Sequence, residues 1–438
     1  MTKEEIKSSI KENGVSSIWL CFTDILGHLK SVGIPPGQID EAINEGLGFD
    51  GSSVEGFSRI WESDLIAKAD PTTFRLLPWP INGQNCAIIL CDILHPDGRP
   101  YEGDSRYILK KNLIELEKEG LKAYFGPELE YFYFQNNGEH KLMDQGGYFD
   151  LVADSQGKIL RLKTVQALQK MGIEVEMEHH EVAPSQAEID LKYKEALAMA
   201  DIVMLYRFTV KEVARQEGYY ATFMPKPVFG QNGSGMHCHQ SLFKGEQNVF
   251  YEESDAMHLS KVGKGYLAGL LCHAKELTAL ICQWVNSYKR IVPGFEAPVY
   301  LAWGKRNRSA LARIPWYKPG KEKATRIEFR APDPACNPYL AFAAMIAAGR
   351  EGIKKNYPLP APREDEDIFH LPFDKQKEVD SLPGSLIEAI NIFEKSELMK
   401  RTLGEHVFAK FIENKKIEWD KYRIQVTDFE MREYFQKL

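Results

Sequence analysis

The chain has 438 residues, of which 44% are hydrophobic, and a formal net charge of -7 at pH 7. This length predicts two domains with enough apolar side chains for two cores. The acidic balance argues against a nucleic-acid partner, for which a concentrated basic face would be expected. The seven cysteines form no C-x-x-C motif, which argues against disulfides or a zinc knuckle and favours a reducing cytoplasm. Charged residues near the N-terminus argue against a secretory signal. The lack of an apolar run of ~18 residues argues against a membrane span.

The first part of the chain predicts a small mixed domain. Thr2 and Glu5 form a capping box for a first helix, which Gly14 ends. Alternating apolar residues then predict a β-hairpin over residues 18–34 and a buried strand over residues 85–94.

Two stretches rich in glycine and proline interrupt this pattern. Residues 46–57 predict a loop that carries Asp50, with a plain surface turn as the alternative. Residues 95–105 predict a linker. We therefore divide the chain into an N-terminal domain of residues 1–104 and a larger domain of residues 105–438.

Helical periodicity dominates the larger domain between its strands. It predicts helices over residues 106–119, 194–216 and 259–288. Near the C-terminus, Ser385 and Glu388 form a capping box for a further helix.

Residues 124–135 predict an aromatic-rich strand that carries two carboxylates. Glu128 and Glu130 are two residues apart, so both side chains leave the same face of the strand. Two charges in an apolar strand are costly unless a cation neutralises them. A solvated strand face is the alternative.

Residues 174–193 predict two more strands, joined by a turn at residues 184–185. Glu181 and Glu188 flank this turn, where pairing of the strands would bring them together. Adjacent carboxylates repel one another in a low-dielectric site, so a cluster of this kind favours a bound hard divalent cation.

Residues 232–241 read N-G-S-G-M-H-C-H-Q-S. The two glycines allow a tight turn that brings backbone N–H groups near an anion such as a carboxylate or phosphate. The following strand directs His237, His239 and Ser241 to one face. A metal ligand and phosphate contacts would then lie side by side, although a purely structural turn has the same pattern.

Arginines are concentrated between residues 290 and 330. Residues 306–313 contain three of them, and the strand at residues 325–330 carries Arg326, Glu328 and Arg330 on one face. The planar guanidinium group binds carboxylate and phosphate through two hydrogen bonds. A charged sheet face that meets solvent is the alternative.

Together these residues provide ligands for two or more hard divalent ions surrounded by arginines. Oxygen ligands with one imidazole favour Mg²⁺ or Mn²⁺ over Zn²⁺ or Cu²⁺. Metal ions and arginines around a glycine turn are typical of phosphoryl transfer, and a two-metal hydrolase is equally compatible with the residues alone. The chain has no G-x-x-x-x-G-K-[ST] motif, so a nucleotide would be bound by a different structural motif.

Seven motifs, in this order along the chain, resemble those of bacterial and archaeal type I glutamine synthetase. They are D-G-S-S (50–53), G-P-E-L-E-Y (126–131), H-H-E (179–181), N-G-S-G-M-H-C-H (232–239), R-I-V-P-G-F-E (290–296), R-N-R-S-A (306–310) and R-I-E-F-R-A-P-D (326–333).

The resemblance implies an α+β fold. A small β-grasp N-terminal domain would precede a larger catalytic domain with a curved antiparallel sheet and surrounding helices. It also implies a dodecamer of two stacked hexameric rings with active sites between subunits. The implied reaction is the ATP-dependent ligation of ammonia to L-glutamate, which yields L-glutamine, ADP and phosphate through a γ-glutamyl phosphate intermediate, with two or more Mg²⁺ or Mn²⁺ ions per site.

The resemblance also assigns roles to individual residues. One metal would be held by Glu130, Glu181 and Glu188, and a second by Glu128, His237 and Glu328. Glutamate would be bound by Asn232, Gly233, Arg290, Glu296, Arg308 and Arg330. ATP would contact Glu176, Tyr193, His239, Ser241, Arg308, Arg313, Lys323 and Arg326. The catalytic residues would be Asp50 from the adjacent subunit, Tyr148, Glu296 and Arg308.

Regulation follows from one departure from the family pattern. Members controlled by adenylylation carry a tyrosine where this chain has Phe369, which argues against that control. The chain also lacks the extra insertion of those members and so resembles the shorter, feedback-inhibited subgroup. Arg59 matches the arginine tied to feedback inhibition there, with a plain surface arginine as the alternative, and a small regulatory protein is a candidate partner. Two alternatives remain open: a related ligase that uses an organic amine such as putrescine, and a non-catalytic relative that keeps only the fold.

Overall fold

A computed structural model describes residues 1–54, 56, 64–136, 139–151, 155–293, 295, 297–305, 307, 309–316, 318–364 and 379–438. The strands are β1 (Val15–Thr23), β2 (Leu29–Ile34), β3 (Leu47–Asp50), β4 (Asp64–Ala69), β5 (Arg75–Leu76), β6 (Asn85–Leu94), β7 (Lys122–Gln135), β8 (Val175–His180), β9 (Gln186–Leu191), β10 (Lys194–Glu195), β11 (Tyr219–Thr222), β12 (Met236–Lys244), β13 (Gln247–Asn248), β14 (Tyr300–Gly304), β15 (Ala310–Arg313) and β16 (Ile327–Phe329).

The α-helices are α1 (Lys3–Glu12), α2 (Ile39–Asn44), α3 (Ser105–Glu117), α4 (Gln156–Lys170), α5 (Ala196–Gln216), α6 (Lys261–Cys272), α7 (Ala274–Ile281), α8 (Ser287–Arg290), α9 (Pro338–Lys355), α10 (Leu386–Phe393), α11 (Glu397–Arg423) and α12 (Asp428–Tyr434). Within the described ranges, none of the helices is both long enough and apolar enough to cross a lipid bilayer.

The N-terminal sheet has the order β2-β1-β6-β4-β3, with β5 paired to β6. The central pair β1–β6 is parallel, and the other pairs are antiparallel. Alternate side chains such as Ile18, Leu20 and Ile89 form a core with α1 and α2, because successive residues of a strand point to opposite faces. The predictions of a capped first helix, a hairpin and a buried third strand are confirmed.

The prediction of a loop over residues 46–57 is wrong for its first part, where Leu47–Asp50 forms β3. Leu47 and Phe49 pack against the N-terminal core, which stabilises a strand in spite of its glycine. Gly46 has a φ of +87° and enters the strand so close to β4 that a Cβ atom would lie 2.4 Å from Ile66 Cγ2. Glycine here therefore serves a close approach of two strands and does not mark a loop.

The larger sheet has the order β14-β15-β16-β12-β7-β9-β8, with β10 and β11 paired to β7 and β13 paired to β12. It is antiparallel except for the pair β14–β15. One face is apolar and packs on α5 and α9: Phe125 stacks on Phe342 with 4.1 Å between ring centroids, and the Tyr206 hydroxyl donates to the Leu129 carbonyl. The predicted α+β class is confirmed. The opposite face carries the polar residues of the candidate site.

The prediction of one helix over residues 259–288 is wrong, since this stretch forms α6, α7 and α8. The backbone leaves the helical conformation at Cys282, with φ -134° and ψ 65°. There the Gln283 amide donates to the backbone carbonyls of Leu26, at 2.7 Å, and Ala335, at 3.3 Å. Tertiary contacts thus override the helical periodicity. The helices predicted at 106–119 and 194–216 are confirmed to within two residues at each end.

A buried ion cluster joins the N-terminal sheet to the helices of the larger domain. The Arg106 guanidinium donates two hydrogen bonds of 2.9 Å to Asp201 in α5, one of 2.5 Å to Asp92 in β6 and one of 2.8 Å to Asp70. The Tyr339 hydroxyl donates to the same Asp201 carboxylate at 2.8 Å. Burial opposes the charge of Arg106, but the carboxylates around it outweigh burial and raise its pKa.

Candidate active site

Neighbouring strands of the larger sheet direct acidic and imidazole side chains to one face. Glu128 of β7 lies opposite Asp190 of β9 on one side and opposite His237 of β12 on the other. Glu130 lies opposite Glu188 by the same register. Because side chains alternate along a strand, all of these groups project from the face opposite the apolar core.

Glu328 anchors one half of this face. Its buried carboxylate accepts a hydrogen bond of 2.5 Å from Arg313 Nε and one of 2.9 Å from Arg330 Nη1. His237 Nδ1 lies 3.4 Å from Glu128 Oε2 and 3.9 Å from Glu328 Oε1. Burial opposes the charge of Glu328, but the neighbouring histidines and arginines outweigh it and lower its pKa to about 2. This carboxylate is therefore ionised at neutral pH.

The two histidines of β12, His237 and His239, differ in their hydrogen bonds and in their ability to bind a metal ion. Arg326 Nε donates to His239 Nδ1 at 3.1 Å, so the proton of that ring lies on Nε2, which donates to Glu128 Oε1 at 2.7 Å. For His237, burial together with Arg330 lowers the pKa to about 4. His237 is therefore neutral at pH 7, the form in which imidazole binds a metal ion.

Glu130 and Glu188 form the other half, where carboxylates repel one another. Glu130 Oε2 accepts hydrogen bonds from the Gly235 N–H, at 2.9 Å, and Gln186 Nε2, at 3.0 Å. Burial and the nearby Glu181 nevertheless raise the pKa of Glu130 to about 8, and burial and Glu130 raise that of Glu188 well above its usual range. Glu130 therefore needs a nearby cation to be ionised at neutral pH, and the ionisation of Glu188 is opposed by the same kind of surroundings, so the residues fit a divalent metal ion.

Two adjacent histidines at the end of β8 complete this half. His179 Nδ1 lies 3.5 Å from Glu181 Oε1, and its Nε2 lies 3.5 Å from Glu188 Oε2. His180 Nδ1 lies 2.6 Å from the Glu181 carbonyl, and Nε2 lies 2.9 Å from Asp144 Oδ1. Both partners of His180 can only accept, so its ring carries two protons and a positive charge. The contacts and strand registers described so far link all six predicted metal ligands in one continuous array.

Sequence reasoning missed Asp190 and did not select His179 as a site residue. Asp190 is buried, and burial together with the facing Glu128 raises its pKa to about 7. Its spacing from Glu188 is the same two-residue spacing that identified Glu128 and Glu130. The signal was therefore present in the sequence.

The glycine turn before β12 lies against Arg290. A Cβ atom on Gly233 would be 2.4 Å from the Pro225 carbonyl oxygen and 2.9 Å from Arg290 Cγ, so glycine is required by close packing. The buried Arg290 guanidinium donates to the carbonyls of Ala331, at 2.7 Å, and Arg330, at 3.1 Å. Three of the residues predicted to bind glutamate, Gly233, Arg290 and Arg330, thus lie together beside the array.

Residues predicted to bind nucleotide continue along the same face. Ser241 lies opposite Tyr124 in the register of β12 with β7, and the Tyr124 ring contacts Tyr193 edge to face at a centroid distance of 6.0 Å. Lys323 is exposed and pairs with Glu246 at 2.7 Å. Arg313 and Arg326 lie next to this group through their contacts with Glu328 and His239.

Three predicted residues lie outside the array within this chain. Asp50 is exposed at the end of β3, in the other sheet. Tyr148 is exposed and stacks on Phe149, with its ring centroid 5.6 Å from that of His179. Glu176 is exposed on β8. The predictions for Arg59, Glu296, Arg308 and Phe369 fall outside the described residues.

Comparison with known proteins covers nearly the whole chain. The family model described as "Glutamine synthetase, beta-Grasp domain" matches residues 14–96, and the model described as "Glutamine synthetase, catalytic domain" matches residues 102–434. The N-terminal sheet accordingly has the β-grasp fold that the motifs implied.

Curated relatives named glutamine synthetase are similar over their full length. The Methanosarcina mazei protein is 48% identical over 100% of this chain and 98% of its own length. The Thermotoga maritima protein is 47% identical over 99% of both chains. The Mycolicibacterium smegmatis protein is 46% identical over 99% of this chain and 98% of its own length.

Solved structures agree with these matches. A glutamine synthetase from Plasmodium falciparum, determined by cryo-electron microscopy, superposes with a TM-score of 0.90 at 29% identity and covers 99% of both chains. A structure described as "GmaS/ADP complex-Conformation 1" superposes with a TM-score of 0.90 at 30% identity and covers 98% of this chain and 99% of its own.

Proposed function

The chain belongs to the glutamine synthetase family and synthesises glutamine in an ATP-dependent reaction, and we propose that the array of carboxylates, histidines and arginines carries this reaction through a γ-glutamyl phosphate. The observation that supports the proposal is the continuity of the array: five of the six predicted metal ligands share one face of the larger sheet, Glu181 joins them through His179 just beyond β8, and the group borders the arginines predicted to bind substrates.

Divalent metal ions fit the two halves of the array. Glu130, Glu181 and Glu188 would hold one ion, and Glu128, His237 and Glu328 would hold another. An all-oxygen set and a set with a single imidazole favour Mg²⁺ or Mn²⁺. When bound, such ions neutralise charge on the phosphates of ATP and on the glutamate side chain.

Glutamate would bind where the glycine turn meets Arg290. We propose that Arg290 holds the α-carboxylate, Asn232 and Gly233 lie near the α-amino group, and Arg330 faces the side-chain carboxylate that accepts the phosphoryl group. The Arg290 guanidinium is already fixed by two backbone carbonyls, so little conformational entropy is lost when it binds an anion. Arg308 and Glu296 would complete this pocket.

ATP would bind along the outer part of the same face. The proposed contacts are Glu176, Tyr193, His239, Ser241, Arg308, Arg313, Lys323 and Arg326. A neighbour of the same fold carries ADP in its description, which supports a nucleotide site in this architecture. Arginine side chains near the transferred phosphoryl group stabilise the charge that it carries in the transition state.

Ammonium would enter next to Tyr148, whose ring lies near that of His179. We propose that Asp50 from an adjacent subunit binds ammonium and removes its proton, and that Glu296 shields the acyl phosphate from water. Asp50 lies in a different sheet from the array, which supports a site completed by a second subunit.

The C-terminal segment supports assembly into oligomers, for which we propose the dodecamer of two hexameric rings. It exposes large apolar side chains that are unfavourable in water: Ile424, Val426, Phe429, Phe435 and Leu438. All seven cysteines are free thiols, which supports a reducing cytoplasm. Feedback inhibition through Arg59, absence of adenylylation because of Phe369, and a small regulatory protein as partner complete the proposal.

The experiment that tests this function is an assay of purified protein with glutamate, ATP and ammonium. Glu328→Ala should reduce glutamine formation to background, because it removes a metal ligand and leaves Arg313 and Arg330 without their shared carboxylate. Glu253→Ala, which removes an exposed carboxylate elsewhere, should leave the rate unchanged. Equal rates for wild type and Glu328→Ala would contradict the assignment of the array.

The same assay separates ammonium from organic amines. Ammonium, putrescine and ethanolamine are offered in turn with glutamate and ATP. We expect turnover with ammonium, and turnover with putrescine but not ammonium would instead identify a γ-glutamyl-polyamine ligase.

A further inference from the structure

Lys226 lies where three segments around the proposed glutamate pocket meet. Its backbone is bound to Asn286, the residue before α8: the Lys226 N–H donates to Asn286 Oδ1 at 2.7 Å, and Asn286 Nδ2 donates to the Lys226 carbonyl at 3.0 Å. Helix α8 ends in Arg290. The residue before Lys226, Pro225, accepts a hydrogen bond of 2.8 Å from the Ser234 N–H in the glycine turn. The main chain at Lys226 is therefore fixed between that turn and the helix that carries Arg290.

The side chain of Lys226 reaches the third segment, the loop between α8 and β14. Its ammonium group donates to the Gln231 carbonyl, just before the glycine turn, and lies over the Phe295 ring, 3.6 Å from the ring centroid. An aromatic ring attracts a cation over its face, and the attraction grows where water is excluded. Lys226 and Phe295 are both half-buried, whereas Val292 and Pro293 at the start of the α8–β14 loop are exposed. The ammonium group thus connects this loop to the glycine turn.

Phe295 directly precedes Glu296 in the sequence. We propose that Lys226 is a positioning residue, whose ammonium group sets the place of the α8–β14 loop relative to the glutamate pocket. The inference rests on the proposed function, in which Glu296 shields the acyl phosphate from water. Lys226 acts through Phe295 and touches none of the reacting atoms. It belongs to none of the seven motifs and to none of the residue roles that they imply.

Loss of the contact should allow water to compete with ammonia for the intermediate. Hydrolysis of the acyl phosphate consumes one water molecule and returns glutamate and phosphate, so ATP is consumed without formation of glutamine. Lys226→Met keeps an apolar stem of similar length and removes the charge. The ratio of phosphate released to glutamine formed should rise at least about twofold above that of wild type. A purely structural role would lower both rates together and leave this ratio unchanged.

Two other variants show whether the contact itself is responsible. Phe295→Leu removes the ring from the other side of the contact and should raise the ratio as Lys226→Met does. Because both changes break the same contact, the double variant should raise the ratio no further. Lys211→Met is the matched control: the Lys211 ammonium also lies over a phenylalanine ring, at 5.8 Å from the centroid, but the ring belongs to Phe223 and not to the α8–β14 loop. Its ratio should equal that of wild type.

Hydrogen exchange followed by mass spectrometry gives a readout that does not depend on the reaction. In Lys226→Met, peptides that contain Phe295 should exchange about three- to tenfold faster than in wild type. If Lys226→Met does not fold, as judged by circular dichroism, Phe295→Leu takes its place in both measurements. A wild-type protein that makes glutamine with the same ratio as Lys226→Met would overturn this inference alone. A wild-type protein that makes no glutamine would instead refute the proposed function, and faster exchange at Phe295 in Lys226→Met would still show that Lys226 holds the loop.

Discussion

Replacing Arg106 with methionine tests how the N-terminal sheet is held on the larger domain. The Arg106 side chain retains 4% of its accessible surface and donates to three carboxylates, two of them in the N-terminal sheet domain and one in α5. Methionine occupies a similar volume without the charge. The substitution leaves Asp70, Asp92 and Asp201 close together with no arginine between them.

The expected loss follows from this burial. Removing one partner of a buried ion pair costs about 3–5 kcal/mol, because the remaining charge is desolvated and uncompensated. Each of the hydrogen bonds to a charged group is worth about 1.5–3 kcal/mol by itself, but they share one guanidinium and do not add. We therefore expect Arg106→Met to lower the free energy of unfolding by about 3–5 kcal/mol.

Hydrogen exchange followed by mass spectrometry in increasing urea measures this effect on the peptides that contain β6 and α3. Arg99→Met is the control, because Arg99 pairs with Asp97 at 2.6 Å and both side chains are exposed to solvent. An exposed ion pair contributes little to the free energy of unfolding. Its unfolding should match that of wild type. If Arg106→Met also unfolds within about 0.5 kcal/mol of wild type, the buried cluster does not join the domains as described.

Two further predictions concern the candidate site. Burial opposes the charge of His180, but Asp144 outweighs it and raises the His180 pKa, so the stability gained from this pair is complete below about pH 6.5 and is lost as pH rises through the raised value. The difference in unfolding free energy between wild type and Asp144→Asn should therefore be larger at about pH 5.5 than at about pH 8.5; the opposite order would contradict the charged state of His180. Gly235→Ala should raise the KM for glutamate about tenfold or more in steady-state assays, since its Cβ would lie 2.6 Å from Nη2 of the immobile Arg290. Gly37→Ala controls for the added methyl group. Gly37 has open space around it, so this substitution should leave the KM unchanged.

The sequence was most informative where side chains alternate. The two-residue spacing of Glu128 and Glu130 predicted a common face, and the register of β7 with its neighbours brings both into the array. The same spacing placed Asp190 beside Glu188, but a carboxylate with no motif around it looks like any other charged strand residue.

The wrong predictions arose where long-range contacts decide the backbone. The helix expected over residues 259–288 is broken where Gln283 bonds to segments distant in sequence. The strand within residues 46–57 depends on packing of Leu47 and Phe49 against a core that local periodicity does not specify. Such contacts involve residues far apart in the chain, and no local pattern encodes them.

The two halves of the array differ in how their charge is balanced before any ion arrives. Around Glu328 the histidines and arginines hold the pKa of that carboxyl at about 2, whereas burial and mutual repulsion hold the pKa of Glu130 at about 8 and raise that of Glu188 well above its usual range. Filling the Glu130–Glu188 half therefore displaces protons into solution, whereas filling the Glu328 half displaces none. A fall in pH should consequently release the metal ion from the Glu130–Glu188 half first, while the metal ion in the Glu328 half stays bound.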